Sequence, residues 1–311
     1  LPFGNTVDVI YVTGAQLLEV LEASTFCLPE SIGGFPQVSG ISYTISTAVP
    51  YDANAETYPA STYYGPKTIN RVSINSINGK EFKADDTYAV VTNDFCSAGG
   101  DTYYAFKSTA KADKVATGVT LDQALMNYVK TELKGVIGKQ YAEPQGRILM
   151  NPFKDVKVSS WFGKYVIDLY NDGIINGTSA TTYTPDAKLS WAAALKLLLV
   201  SHGDLKSEDA TGADWSKNTI AKAAELGLVA ADLDGAKDIS RLEFCQVAAK
   251  LNKLAESKTE SKFTDCTDGY VMALVDAKVI NGMTETTFEP AASLTRAQIA
   301  KIIYQLNLIE K

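Results

Sequence analysis

Residues 6–12, rich in β-branched and aromatic side chains, predict a strand, as do 38–47 and 69–77, where apolar and polar side chains alternate. Between the first two, residues 14–24 set Leu17, Leu18, Val20 and Leu21 at helical spacing and predict an amphipathic helix. Asn78-Gly79 is a hairpin signal, with Lys80-Glu81-Phe82 leaving it. Residues 87–92 predict a further strand and 121–133 a further helix. Residues 50–66, rich in Tyr and Pro, predict a long irregular insertion on the surface. The layout over residues 1–150 is mixed, with antiparallel pairing: an α+β domain.

After Asn151-Pro152 helical spacing takes over and the chain repeats itself. Gly173-Ile174-Ile175-Asn176-Gly177 returns 105 positions on as Lys278-Val279-Ile280-Asn281-Gly282, and Tyr183-Thr184-Pro185 returns at the same offset as Phe288-Glu289-Pro290. A third copy lies between them, where Gly227-Leu228-Val229 follows Trp215 as Gly173-Ile174-Ile175 follows Trp161. Units of roughly 50–55 residues mark an array in which each unit buries its apolar face on its neighbours. The expected units are 151–205, 206–257 and 258–311, each a helix, a Gly-rich turn, a Pro-containing loop and a helix.

Composition narrows the chemistry. A formal charge of −7 and a pI near 4.9 argue against a nucleic-acid binder, which carries a basic face. No apolar run approaches the ~20 residues of a membrane span. Cys27, Cys96, Cys245 and Cys266 make no Cys-x-x-Cys pair, so no zinc or thioredoxin site is indicated. A Cys27–Cys96 disulfide and free buried thiols both stay open. His202 is the single histidine, in the polar stretch Ser201-His202-Gly203-Asp204, where a solvated turn is expected. One histidine cannot furnish the ligand set of a metal-dependent hydrolase, so neither a catalytic nor a metal site is expected in this chain. The chain opens without Met and runs at once into a strand, so Leu1 reads as a cut point with further chain, including any export signal, upstream.

Several strings of the first half carry a resemblance: Leu1-Pro2-Phe3-Gly4-Asn5-Thr6, Thr13-Gly14-Ala15-Gln16-Leu17-Leu18, Phe35-Pro36-Gln37-Val38-Ser39-Gly40, Asn78-Gly79-Lys80, and Asp94-Phe95-Cys96-Ser97-Ala98-Gly99-Gly100-Asp101. Glu143-Pro144-Gln145-Gly146-Arg147-Ile148 closes the segment. In order and spacing they resemble the C-terminal domain of the 5′-nucleotidase family. The resemblance implies a nucleobase held between two phenylalanines, Phe3 and Phe95, a ribose diol gripped by Asp101, and base-edge contacts from Asn5 and Gly33. The physics suits these roles, since stacking on an aromatic face accepts any base and a carboxylate accepts two hydrogen bonds. Phe is otherwise a core residue and Asp101 otherwise a turn cap, but a Phe flanked by glycines is presented from a loop. Where the family reads Gly-Gly-Asp-Gly this chain has Thr102, which puts the loop rim in question.

The second half carries another resemblance. Phe153-Lys154-Asp155-Val156 and Phe263-Thr264-Asp265 open two units; Trp161 and Trp215 are early aromatics; Ser240-Arg241-Leu242-Glu243 and Thr295-Arg296-Ala297-Gln298 start second helices. These resemble S-layer-homology repeats, which implies an all-α, pseudo-threefold array of three helix-loop-helix repeats binding an anionic secondary cell-wall polymer. Arg241, Arg296, Trp161 and Trp215 are the implied contacts, arginine being suited to bidentate pairing with anions. A purely structural role for the arginines, bridging repeats, is the alternative. Repeat one has Trp191 where arginine is expected, so its groove is expected to be weak or sealed.

Together the resemblances imply the nucleotide-recognition part of an extracellular, wall-anchored nucleotide phosphohydrolase of a Gram-positive-type cell. This chain itself would be non-catalytic, and a missing metallophosphoesterase domain would carry two divalent metals. The other reading is a non-catalytic surface protein held by the same repeats.

Overall fold

The computed structural model describes residues 3–50, 56–58, 67 and 69–309. The chain divides into two compact units, Leu1–Lys154 and Asp155–Lys311.

The first unit is built on two three-stranded sheets. In one, β1 (Thr6–Thr13) lies between β4 (Thr87–Asn93) and β5 (Lys114–Thr120), antiparallel to both, with Val9 opposite Val91 and Val115. In the other, β2 (Ile41–Ser46) lies between β3 (Val72–Ile77), antiparallel, and β6 (Ile148–Asn151), parallel. The parallel pair makes this a mixed sheet, in line with the expected mixed sheets layered with helices, beside the antiparallel pairing read from the strand pattern. Helix α1 (Gly14–Ala23) serves both sheets. Its Leu17 and Val20 join Ile10, Val12 and Phe106 in one core cluster, and Leu21 joins Tyr43 and Ile45 in the other. Thr13 and Gln16 close a reciprocal capping box at its start. At its far end the buried Glu22 carboxylate accepts the amides of Arg71 and Val72 at 2.8 and 2.9 Å, tying the helix to β3.

Other sequence expectations are adjusted. The second strand begins at Ile41 and the third at Val72, later than the apolar pattern suggested. Asn78 and Gly79 both take left-handed φ, 49° and 73°, and close a tight turn, but pairing stops after a single bridge from Ile77 to Lys80. Most of the 50–66 insertion lies outside the described residues; within it Tyr58 is buried, against the surface expectation, donating to Glu19 Oε1 at 2.7 Å. All four cysteines are free, Cys27 half-buried and the other three buried. Helix α2 (Asp94–Ser97) is a single turn, and α3 (Leu121–Thr131) buries none of its residues.

The second unit holds three helix pairs in chain order, α4 (Gly163–Asn171) then α5 (Trp191–His202), α6 (Trp215–Glu225) then α7 (Arg241–Leu251), and α8 (Gly269–Asp276) then α9 (Arg296–Ile309); the helices pack mainly between pairs, α5 on α6, α7 on α8 and α4 on α9. The first amides of a helix have no partner inside it, and here the neighbouring pair provides one. Trp191 and Ala192 donate to Lys237 and Gly235; Arg241 and Leu242 donate to Ala292 and Pro290; Arg296 and Ala297 donate to Ala187 and Pro185. Single bridges reinforce the same three seams, Ser190 to Asp238, Ser240 to Ser293, and Lys188 to Thr295. First joins second, second joins third, and third joins first.

Candidate functional site

Phe3, Asn5, Gly33, Phe95 and Asp101 all line one cleft of about 700 Å³ in the first unit. Phe3 precedes β1 and is 73% exposed, presented from a loop as expected; Phe95 is 43% exposed, unusual for a phenylalanine, but it is presented from the single-turn helix α2 and not from a loop. Phe95 is placed by the cap of α2. Asn93 Oδ1 accepts the Cys96 amide at 2.7 Å, and Asp94 Oδ1 accepts both the Phe95 amide, at 3.0 Å, and the Thr6 amide, at 3.3 Å. That last bond joins the segment carrying Phe95 to the one carrying Phe3 and Asn5. Beneath α2, Ser97 Oγ donates to the buried Asp8 carboxylate on β1, and Lys114 Nζ from β5 donates to Ser97 O at 2.6 Å.

Glycines shape the cleft by letting side chains and backbone approach. A Cβ on Gly100 would stand 2.4 Å from Phe95 Cζ, and one on Gly34 would stand 2.9 Å from Asp101 Cβ. Asp101 takes φ 46°, a left-handed conformation costly for a residue with a side chain. Thr102 is buried and its hydroxyl is without a hydrogen-bond partner, so its side chain is inside the fold and not on the cleft rim. Tyr103 and Cys96 also line the cleft. Burial pushes both above their ordinary values, keeping a phenol and a thiol at neutral pH. Sequence reasoning missed Tyr103, Gly34 and the Leu121 wall; the Gly33-Gly34 doublet was the one legible sign of close packing there.

In the second unit the serine or threonine and the acid or amide of the second-helix signature form capping boxes. Ser240 and Glu243 bond reciprocally at 2.8 and 3.2 Å, as Thr295 and Gln298 do at 2.9 and 3.3 Å. In α5, Ser190 caps Ala193, which can return no such bond. The arginines lie in the seams. Arg241 is 7% exposed, donates from Nη2 to Asn281 O at 2.6 Å, and sits 4.6 Å over the Phe288 ring. Arg296 donates to Tyr183 O and Asn176 O, both at 2.8 Å, and sits 4.4 Å over the Tyr183 ring. Burial lowers both from the ordinary arginine value while leaving them charged at neutral pH. The remaining seam has neither half of this pair. Trp191 is buried, and Gly235 packs beside Ile220 and Ala192. Trp161 is 58% exposed, and Trp215 lies 5.4 Å beneath Lys196 Nζ. Lys196, overlooked in the sequence, is lowered first by burial and then by the charge of Arg296. His202 pairs with Asp204 at 2.6 Å. Among the described residues no group of three His, Cys, Asp or Glu is placed to hold a metal, and no helix is long and apolar enough to cross a membrane.

These features define a chain of two parts, an α+β domain with an aromatic-rimmed cleft and an array of capped helix pairs. Residues 1–108 match the 5′-nucleotidase C-terminal domain, and residues 152–194 and 265–300 match the S-layer homology domain. The chain therefore contains a 5′-nucleotidase C-terminal domain followed by S-layer homology domains. It is similar to the trifunctional nucleotide phosphoesterase protein YfkN of Bacillus subtilis, 36% identical over 36% of this chain and 7% of that protein. It is also similar to the cell wall protein Lmo0130 of Listeria monocytogenes, 31% identical over 42% of this chain and 14% of that protein. The chain thus spans less than a fifth of the length of either curated relative. Among solved structures, the 5′-nucleotidase precursor of Thermus thermophilus aligns over 48% of this chain and 26% of its own, at 32% identity and a TM-score of 0.38.

Proposed function

We propose that this chain recognises the nucleoside part of a nucleotide for a phosphohydrolase held at the cell wall. The observation that carries the reading is the convergence of Phe3, Phe95 and Asp101 on one cleft. Two exposed rings receive a base on their faces, and a carboxylate reaches a diol beside them. Asn5 and Gly33 would meet the base edge. The phosphoester chemistry, and the two divalent metals that would serve it, would fall to a catalytic domain outside this chain.

The second unit, in this reading, is a pseudo-threefold array that binds an anionic cell-wall polymer, placing the protein outside a Gram-positive-type cell. The ring of three seams supports the symmetry. Lys196 and Arg296 support the ligand charge: they disfavour each other, and an anion between neighbours of like charge relieves that. Trp161, exposed, and Trp215, under Lys196, would give sugar-stacking faces. The carbonyl bonds of Arg241 and Arg296 favour a second role as bridges between pairs, and the two roles are compatible because each guanidinium has five N–H donors.

Calorimetric titration with adenosine and AMP, beside Phe95→Ala, tests the first unit. The expected affinity is weak, on the order of millimolar. Phe95→Ala is expected to remove about 1–3 kcal/mol of it. A variant that binds as well as the parent chain would refute the clamp.

A further inference from the structure

The seam arginines rest on two backbone carbonyls of one kind. Arg296 Nη2 donates to Asn176 O and Arg241 Nη2 to Asn281 O. Both asparagines are exposed, lie outside helix and strand, and are followed by glycine. Asn-Gly is the dipeptide most prone to modify itself, because glycine has no Cβ to shield its amide nitrogen from the asparagine side chain. The glycine nitrogen, giving up its proton, bonds to asparagine Cγ. The Cγ–Nδ2 bond breaks, the nitrogen leaves as ammonia, and a succinimide ring closes. Water then opens the ring at either carbonyl. Breakage of the new bond gives aspartate in an unaltered chain. Breakage at the old backbone carbonyl gives isoaspartate, whose chain runs through Cβ and whose free carboxylate is that former carbonyl.

We propose that Asn176 and Asn281 are sites of spontaneous deamidation, and that the isoaspartate product turns the neutral carbonyl under each seam arginine into a carboxylate paired with it. The guanidinium is then neutralised from within, and the seam loses its pull on an outside anion. This last consequence rests on the polymer reading; the deamidation itself does not. The position is also hard to relieve by substitution of the glycine. A Cβ on Gly282 would stand 2.3 Å from Thr284 O and 2.5 Å from Phe263 Cε1. Asn78-Gly79, in the turn of the first unit, is a third such dipeptide away from the seam arginines, and serves as an internal comparison.

The whole chain is held in mildly alkaline buffer at physiological temperature and sampled over weeks by peptide mapping with isoaspartate detection. Each sample is also sedimented with polymer-bearing cell walls, and with walls stripped of polymer. The Asn176 and Asn281 peptides are expected to acquire the mass of an acid in place of an amide, faster at higher pH, with wall binding falling in step. A chain carrying Asn176→Gln and Asn281→Gln should hold its binding over the same interval, even as Asn78 converts. Asn176 and Asn281 still intact when Asn78 has converted overturns the assignment. Conversion of both with undiminished binding overturns the link to the arginines. Fresh chain that ignores polymer-bearing walls refutes the polymer reading, and peptide mapping still decides the deamidation.

Discussion

Gly100 and Gly33 stand on opposite sides of one question, whether a residue shapes the cleft or meets what enters it. A Cβ on Gly100 collides with the Phe95 ring, whereas a Cβ on Gly33 meets nothing within 4 Å. Gly100→Ala is therefore expected to move Phe95 and weaken adenosine binding by about tenfold, at a stability cost of about 1 kcal/mol from overpacking. Calorimetry and thermal melting check the two numbers. Gly33→Ala is expected to leave the melting temperature unchanged, so any loss of binding reports a ligand lying against that backbone. Unchanged binding would strike Gly33 from the site. These residues were legible in sequence only through the neighbours of the phenylalanines. Gly99-Gly100 is a doublet that lets backbone approach closely, but nothing in the string Gly-Gly-Asp-Thr told that Thr102 turns inward. Its burial follows from tertiary packing, which no local spacing encodes.

Local elements were readable where apolar residues keep a regular spacing or form a β-branched run. β1 and α1 obey this rule, and their ends fall within a residue of the expected ones. β5 escapes it: Lys-Val-Ala-Thr-Gly-Val-Thr has no buried residue and carries a glycine, so it has no alternation to detect. β6 is four residues long and finds its place only through parallel pairing with β2. Caps were clearer. The Ser240–Glu243 box stabilises the start of α7, and Ser240→Ala is expected to cost about 1 kcal/mol, measured by urea denaturation. The loop that α7 meets is held by Asp265, whose carboxylate accepts the Phe288 and Glu289 amides, both at 2.8 Å. Those bonds hold its pKa below the ordinary 3.8. A folded value below the unfolded one gives stability that is complete above the unfolded value and is lost as pH falls through the folded one. Asp265→Asn is expected to lower the melting temperature at neutral pH and to flatten its decline in acid. An unchanged acid limb would refute the role. Asp155 makes the matching bonds to Tyr183 and Thr184 in the first pair, so the repeat is one of chemistry as well as sequence.

Across the whole second unit the three seams are not equivalent, and the difference is coordinated. Two pair an arginine with an aromatic ring and an asparagine carbonyl; the third has Trp191 in the arginine's place, and Leu233 and Ala230 in the facing loop where the ring and the asparagine stand elsewhere. The sequence showed Trp191 as a lone departure. Only the structure shows that the facing loop departs with it. Restoring arginine alone should therefore fail. Trp191→Arg is expected to bury a charge without a partner and to destabilise the unit by several kcal/mol, with no gain in wall binding. A stable variant with stronger sedimentation on polymer-bearing walls would mean that this seam lacks nothing except its arginine.

The bridge from Lys188 to Thr295 has a mechanical meaning. A linear stack of repeats has loose ends, and a pull can peel it one unit at a time, each at the modest force of a single interface. Here the last pair is stitched to the first, so no unit is terminal. Tension must shear two seams before any pair comes free, and the rupture should register in a pulling experiment as one tall event with no staircase before it.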